Sequence, residues 1–219
     1  GSGIGGGGFW LLHRAADGKQ VMVDGREKAP LAATRDMYLD ATGEPVKGLS
    51  MNGPLAAGIP GEPAALVHIA EQYGRLPLHV TLAPAIKLAR DGFKVDDVYR
   101  RMAGMRLNVL RKDSTAASQF LHDNEVDHVL KQPDLANTLE AIAVQGFDGF
   151  YRGEVAQRLV EGSRNAGGIW TLEDLAEYQV VEREPIVGQF ADYRVVSAAP
   201  PSSGGVILVE MLNMLEQLK

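Results

Sequence analysis

The side chain with the most informative chemistry is an arginine that follows a short apolar segment. Arg26 lies in the run Asp24-Gly25-Arg26-Glu27, directly after Val21-Met22-Val23. A guanidinium is a planar fork that binds a carboxylate through two parallel hydrogen bonds, which an ammonium group does not do. A structural ion pair with Asp24 or Glu27 is the ordinary role of such an arginine. The local sequence alone favours the ion pair and leaves carboxylate binding open.

Two adjacent serines are the candidate hydroxyl nucleophiles. Ser202 and Ser203 stand in the run Pro200-Pro201-Ser202-Ser203-Gly204-Gly205 and lack the G-x-S-x-G elbow that exposes a nucleophilic serine. They directly precede a predicted helix, where serine is favoured as a cap. The chain has no cysteine, which excludes thiol nucleophiles, disulfides and thiolate metal sites. The sequence therefore favours neither a serine nor a thiol nucleophile in this chain.

A polar stretch in the middle of the chain holds side chains that could bind a metal ion. His122, Asp123, Asp127 and His128 are close in sequence, but the spacing of the two histidines does not place them on one helix face. No spacing of a known ligand set is matched. We therefore predict a solvated polar loop and no metal site. Another histidine, His68, lies off the apolar side of its predicted helix and is expected to face solvent.

A glycine run near the start formally contains a nucleotide-binding pattern. Gly3, Gly5 and Gly8 satisfy G-x-G-x-x-G, but the apolar residues 9–12 predict a strand where a dinucleotide site needs a helix. No Lys-Ser or Lys-Thr pair follows the run, which excludes a P-loop. We expect the glycines to let the backbone pass close to another chain or a ligand, and we expect no cofactor.

Two hairpins and a series of helices are expected to carry these residues. Apolar residues 9–12 and 21–23 flank Asp17-Gly18, which predicts a β-hairpin in a sheet covered on both faces. Helical spacing of apolar residues, with proline and glycine at the boundaries, predicts helices between residues 62 and 176. The first has an apolar stripe of Leu66, Ile69, Ala70 and Tyr73, and the third has one of Val98, Met102, Met105 and Val109. Strands follow at 186–190 and 193–197, then an apolar helix over 205–219. This order predicts an α+β fold, in a single domain over residues 1–219.

Charge and hydropathy exclude two classes of partner. The formal net charge is −6 and no basic run is present, so a nucleic acid is not expected as a partner. No apolar run approaches the about 20 residues that span a bilayer, so no membrane span is expected.

Read in order, several motifs resemble the γ-glutamyltransferase family, also called the γ-glutamyltranspeptidase family. Each motif is weak alone, but in the family's order and over nearly the whole chain they are specific. They are Ser2-Gly3-Ile4-Gly5-Gly6-Gly7-Gly8-Phe9, Asp24-Gly25-Arg26-Glu27-Lys28-Ala29-Pro30, Gly58-Ile59-Pro60-Gly61, Pro84-Ala85-Ile86-Lys87-Leu88-Ala89-Arg90-Asp91-Gly92-Phe93, Gln132-Pro133-Asp134-Leu135-Ala136, Gly167-Gly168 with Thr171-Leu172-Glu173-Asp174-Leu175, and Pro200-Pro201-Ser202-Ser203-Gly204-Gly205.

The resemblance implies the four-layer αββα sandwich of the N-terminal-nucleophile hydrolases, completed by a second, small subunit. It implies a precursor that cleaves itself, with this chain as part of the large subunit. The N-terminal threonine of the small subunit would be the nucleophile and its own α-amine the base. Backbone amides of that subunit would hold the oxyanion. Such an enzyme transfers or hydrolyses the γ-glutamyl group of glutathione or a related small molecule, and its bacterial members are periplasmic or extracellular.

Within this chain, the resemblance assigns substrate binding to Arg26 alone, which would bind the α-carboxylate of the γ-glutamyl group. Family members often carry an aromatic residue just before this arginine, whereas this chain has Gly25. The difference bears on the shape of the pocket and on the preferred acyl donor.

The same motifs are compatible with other functions. A cephalosporin acylase or a poly-γ-glutamate depolymerase of this fold uses the same threonine chemistry on other acyl groups. A catalytically inactive homologue would keep only the scaffold, since the nucleophile is not on this chain.

Overall fold

The computed structural model describes residues 3–121 and 127–218. The chain divides into two compact units, one of residues 1–32, 58–73 and 173–219 and one of residues 33–57 and 74–172. The single domain over residues 1–219 stays a prediction. The strands and helices in chain order are β1 (Gly8–Arg14), β2 (Lys19–Gly25), α1 (Glu62–Gln72), α2 (Leu78–Asp91), β3 (Phe93–Lys94), α3 (Asp97–Met105), α4 (Leu107–Leu110), α5 (Ser114–Phe120), β4 (Val129–Leu130), α6 (Pro133–Gln145), α7 (Asp148–Tyr151), α8 (Gly153–Asn165), α9 (Leu172–Ala176), β5 (Val181–Arg183), β6 (Ile186–Phe190), β7 (Tyr193–Ser197) and α10 (Ser203–Glu216).

The first unit contains a three-stranded antiparallel sheet with β2 in the centre. β1 and β2 form the predicted hairpin, and β5 pairs with the other edge of β2. Gly18 makes the tight turn with a φ of 73°, which glycine adopts without steric cost. Residues 21–25 of β2 are buried, whereas β1 is partly exposed. The expectation of cover on both faces therefore holds for β2 and not for β1.

Helix α1 packs against β2 through its smallest side chains. Its buried residues are Pro63, Ala64, Ala65 and Val67. The predicted apolar stripe, which contains Leu66, is only partly buried, so the expected inward face was wrong. Alanines on the sheet side let the helix backbone approach the strand closely, and this contact decides the orientation of α1.

The second hairpin of this unit, β6 and β7, carries helix α10. The strand bounds are those predicted from the sequence, and Ala191 turns the chain with a φ of 49°. Glycines let the helix lie close to the strands: a Cβ on Gly205 would fall 2.1 Å from the Ala198 carbonyl oxygen, and one on Gly188 would fall 2.7 Å from Val209. Much of the outer surface of α10 is apolar and exposed.

The second unit is mainly helical. Helices α2 and α6 pack together, and α7 lies against α6 through Gly149, where a Cβ would fall 2.1 Å from the Ala141 carbonyl oxygen. The core of this unit lies in α6, α7 and α8 and includes Leu139, Ile142 and Phe150. The helices predicted at α2, α6 and α8 are confirmed, whereas the short α7 was not predicted.

One helix of the second unit differs from its predicted form. The apolar residues Val98, Met102 and Met105 were expected to make a stripe running on to Val109, but the helix stops at Met105 and a separate turn, α4, follows. The three side chains on α3 are exposed in the described chain. Helical spacing identifies an apolar side, but it does not identify what covers that side.

Candidate substrate-binding site

Arg26 follows the last residue of β2, and its main chain is fixed on both sides. Its backbone N–H donates a hydrogen bond to Asp24 Oδ1 at 3.0 Å. Its carbonyl oxygen accepts a hydrogen bond from the Tyr178 hydroxyl at 2.7 Å. Two side chains from different parts of the first unit therefore hold the peptide groups on either side of the Arg26 Cα.

The buried carboxylate of Asp24 is paired with another arginine. Asp24 is 6% exposed, and its Oδ2 accepts a hydrogen bond from Arg183 Nε of β5 at 2.8 Å. The sequence allowed an ion pair of Arg26 with either Asp24 or Glu27. The prediction of the pair with Asp24 is therefore wrong. A buried carboxylate needs such a partner, because an unpaired buried charge is strongly destabilising.

The guanidinium of Arg26 is accessible in the described chain. Its side chain is 64% exposed, and Nε lies 3.6 Å from Glu27 Oε2, which is the other predicted ion pair. Surface pairs of this kind contribute about 0–1 kcal/mol to stability. A ligand carboxylate can therefore replace the contact with Glu27 at little energetic cost.

Close-packed glycines surround the backbone of Arg26. A Cβ on Gly61 would fall 2.1 Å from the Tyr178 hydroxyl and 2.2 Å from the Gly25 carbonyl oxygen, and one on Gly7 would fall 2.4 Å from that same oxygen. The Gly6 carbonyl oxygen accepts hydrogen bonds from the N–H groups of residues 61 and 62. The glycine run thus passes close to other backbone segments of its own chain. Strand β1 follows the run, as predicted.

The hydroxyl of Tyr178 is held in its donor form. Burial, followed in effect by the carboxylates of Asp24 and Glu27, raises the pKa of Tyr178 well above its ordinary value. The hydroxyl therefore stays protonated at physiological pH and keeps donating to the Arg26 carbonyl. Lys28 adds a cation over the same ring, with Nζ 4.9 Å from the ring centroid.

A second polar cluster lies at the junction of α1, β2 and β5. His68 Nε2 lies 2.9 Å from Glu182 Oε1, and the Tyr73 hydroxyl donates to the same oxygen at 2.5 Å. Lys19 Nζ donates to the Tyr73 hydroxyl at 2.8 Å. The His68 side chain is 30% exposed, so the expectation that it faces solvent holds only in part. The Tyr73 hydrogen bond, followed by that of His68, lowers the pKa of Glu182.

The remaining candidate residues are placed as follows. Ser202 occupies the N-cap position of α10, as predicted, but its hydroxyl makes no capping hydrogen bond. His122 and Asp123 of the polar stretch lie outside the described residues, and Asp127 pairs with Lys94 at 2.8 Å. Within the part of the chain that the structure describes, no group of three His, Asp or Glu side chains could hold a metal ion. Every helix in that part is too short or too polar to span a bilayer.

Sequence reasoning gave Arg26 as the candidate residue but missed Tyr178 and Arg183, which help to hold its main chain. Tyr178 and Arg183 come from a segment far along the chain, and neither forms a local motif with Arg26. The pairing of β5 with β2, which places Arg183 beside Asp24, is a tertiary contact that local patterns do not specify.

The chain is similar to known proteins over nearly its whole length. The family model for gamma-glutamyltranspeptidase matches residues 1–219. A glutathione hydrolase proenzyme from Pseudomonas sp. (strain A14) is 42% identical over 217 residues, which is 97% of this chain and 38% of that protein. The crystal structure of Helicobacter pylori gamma-glutamyltranspeptidase superposes with a TM-score of 0.93 at 40% identity, over 98% of this chain and 62% of that one. A cephalosporin acylase from Bacillus halodurans superposes with a TM-score of 0.82 at 29% identity, over 98% and 41% of the two chains.

These likenesses define an α+β protein with the fold of the N-terminal-nucleophile hydrolases, as the sequence predicted. The chain belongs to the γ-glutamyltranspeptidase family. It spans well under half the length of the curated relative described above, 38% of that protein.

Proposed function

We propose that this chain is the large-subunit part of a γ-glutamyltransferase, or glutathione hydrolase, and that Arg26 binds the α-carboxylate of the γ-glutamyl donor. The observation that carries the proposal is an accessible guanidinium at the end of β2, on a fixed main chain, in a member of this family. The planar fork matches the carboxylate of an amino-acid head group. The contact with Glu27 is weak enough to be exchanged for a ligand.

The chemistry itself is assigned to a partner. A small subunit from the same precursor supplies an N-terminal threonine, whose hydroxyl attacks the γ-glutamyl carbonyl while its α-amine accepts the proton. Backbone amides stabilise the oxyanion, and the protonated α-amine then returns its proton to the amide nitrogen, so that the C–N bond breaks and the rest of the donor leaves as an amine. Water or an amino acid then attacks the acyl-enzyme, takes the γ-glutamyl group and leaves the threonine hydroxyl free again. Arg26 acts in this sequence by binding and orienting the donor.

The exposed surface of α10 is consistent with an interface to a partner subunit. Ile207, Met211 and Leu215 are each about half exposed, on a helix with apolar residues on most of its sides. A helix of that composition is usually buried inside a larger protein. The first unit thus offers a surface for further polypeptide of the same precursor.

The role of Arg26 is tested by Arg26→Ala in the full-length precursor. A hydrogen-bonded charge contributes about 1.5–3 kcal/mol, so we expect KM for γ-glutamyl-p-nitroanilide to rise on the order of ten- to a hundredfold. Breakdown of the acyl-enzyme should change much less, because the carboxylate is already positioned by the covalent bond. Arg35→Ala is the matched control, since Arg35 also pairs loosely with the acidic residue that follows it, at 3.8 Å from Asp36. An unchanged KM for Arg26→Ala would remove the proposed role.

Two further measurements separate the alternatives. Intact-mass analysis of the purified protein should show two chains, the second beginning with threonine; a single uncleaved chain would favour an inactive scaffold. Hydrolysis of γ-glutamyl-p-nitroanilide, glutaryl-cephalosporin and poly-γ-glutamate, measured side by side, identifies the acyl group. The greater identity to a glutathione hydrolase than to the cephalosporin acylase favours the first substrate.

The location of the enzyme is proposed on the family resemblance alone. We place it in the periplasm or outside the cell. Fractionation of the native cells, with activity measured in the periplasmic, extracellular and cytoplasmic fractions, tests this; activity confined to the cytoplasm would contradict it.

A further inference from the structure

The direction of the Arg26 side chain depends on its main chain. In the described chain its guanidinium is 64% exposed and contacts Glu27 only at 3.6 Å, so neighbouring side chains hold it weakly. A rotation of about 10° at the main chain displaces the end of an extended arginine by about 1 Å, which is enough to impair a binding geometry. The contacts that fix the peptide groups on either side of the Arg26 Cα therefore also set the direction of its guanidinium.

The backbone N–H and the carbonyl oxygen of Arg26 are both held by side chains. The N–H of Arg26 donates to Asp24, and its carbonyl oxygen accepts from Tyr178. Asp24 is in turn fixed by Arg183 on the neighbouring strand. These three residues come from the end of β2, from β5 and from the segment between α9 and β5.

The surroundings leave little freedom in this arrangement. Tyr178 is 3% exposed, and Gly61 lies so close that a Cβ there would collide with the tyrosine hydroxyl. Asp24 is also buried. Interior groups packed at this density cannot shift without displacing their neighbours.

We propose that Tyr178 and Asp24, the latter held by Arg183, are positioning residues that aim the Arg26 guanidinium at the α-carboxylate of the acyl donor. This inference rests on the function proposed above. Two hydrogen bonds to the main chain of Arg26 then set the orientation in which its guanidinium meets the donor. The side chains that make these bonds need not touch the donor.

The test is Tyr178→Phe in the full-length precursor, because it removes one hydroxyl and keeps the ring. The Arg26 carbonyl then loses its hydrogen-bond donor. We expect KM for γ-glutamyl-p-nitroanilide to rise about three- to tenfold, the equivalent of one hydrogen bond, while kcat changes less than about twofold. Tyr38→Phe is the matched control, because the Tyr38 hydroxyl also donates to a backbone carbonyl, that of Leu55, at 3.0 Å. It should leave both constants unchanged.

A double-mutant cycle separates positioning from a general loss of structure. Arg26→Lys removes the planar guanidinium. Donor binding should then depend much less on the orientation of the side chain at position 26. Tyr178→Phe should then raise KM by less than about twofold beyond the Arg26→Lys effect, because residues that act through one another are not additive. A merely structural role would give the same factor in both backgrounds.

The outcomes distinguish this inference from the proposed function. If Arg26→Lys raises KM but Tyr178→Phe does not, or if the two effects multiply, the positioning role is overturned and the function stands. If Arg26→Lys itself leaves KM unchanged, the proposed role of Arg26 fails first. Should Tyr178→Phe reduce the yield of processed enzyme, Asp24→Asn is measured instead, since it disturbs the bond on the other side of Arg26. The same KM increase and the same lack of additivity are expected.

Discussion

Gly25, the residue directly before Arg26, is the most informative position to perturb. A Cβ built there would lie 2.6 Å from the Ala65 Cβ of α1 and 2.8 Å from the Trp10 ring of β1. The indole of Trp10 thus lies in the space beside the glycine. We predict that Gly25→Ala is destabilising and that it disturbs Arg26, which is the next residue.

The size of the effect follows from these distances. Carbon atoms in contact normally lie about 3.5–4.0 Å apart, so α1 must move away from β2 by about 1 Å. Overpacking of a dense core costs about 1–3 kcal/mol. In a domain of about 150–250 residues that corresponds to a fall of about 2–12 °C in the melting temperature. The same displacement should raise KM for the γ-glutamyl donor, because Arg26 moves with the end of β2.

Melting of the purified full-length protein, followed by circular dichroism, measures the first effect. Gly162→Ala is the control, because a Cβ at that position of α8 meets open space and alanine favours a helix by up to about 1 kcal/mol. Ala65→Gly should partly rescue Gly25→Ala by removing the colliding methyl group. A melting temperature for Gly25→Ala within about 1 °C of the wild-type value would refute the argument.

Two further predictions concern stability. Since its hydrogen bond with Tyr73 helps to lower the pKa of Glu182, this carboxylate stabilises the fold above the ordinary pKa of a glutamate, and the stabilisation is lost as pH falls through the lowered value. The melting temperature of wild type should therefore fall more steeply than that of Glu182→Gln between about pH 6 and about pH 3; parallel curves would contradict this. Gly149→Ala should destabilise the second unit by about 1–3 kcal/mol, because the new methyl group would meet the Ala141 carbonyl oxygen. Chemical denaturation measures this loss of unfolding free energy. An unchanged denaturation midpoint would count against the close contact of α6 and α7.

The elements of this fold were largely readable from the sequence because their boundaries are marked chemically. Asp17-Gly18 fits the turn of the first hairpin, and Gly146 follows the end of α6. Such signals act within a few residues. The buried face of a helix could not be predicted in the same way. Helix α1 turns its alanines to the sheet and leaves Leu66 only partly buried. The close approach of α1 to β2 outweighs the hydrophobicity of the leucine there.

The candidate site was predictable only as a single residue. Arg26 stands out because an arginine follows a buried strand within a family motif. Tyr178 and Arg183 could not be connected with it, since they meet Asp24 and Arg26 only after β5 pairs with β2. Sequence patterns single out the group that we propose to bind the donor, whereas the side chains that hold its main chain depend on long-range contacts.

The exposure of Arg26 leads to a last prediction about the complete enzyme. An exposed arginine and a carboxylate attract each other by only about 0–1 kcal/mol in water, whereas the proposed role requires about 1.5–3 kcal/mol. Under the proposed function, the difference requires that the proposed partner subunit cover the guanidinium and exclude water from the bound donor. Covered charges are screened little by salt, so KM for the γ-glutamyl donor should change less than about twofold between about 0.05 M and about 0.5 M NaCl. A KM that rises severalfold over that range would mean that Arg26 stays open to solvent, and donor binding would then depend mainly on residues of the partner.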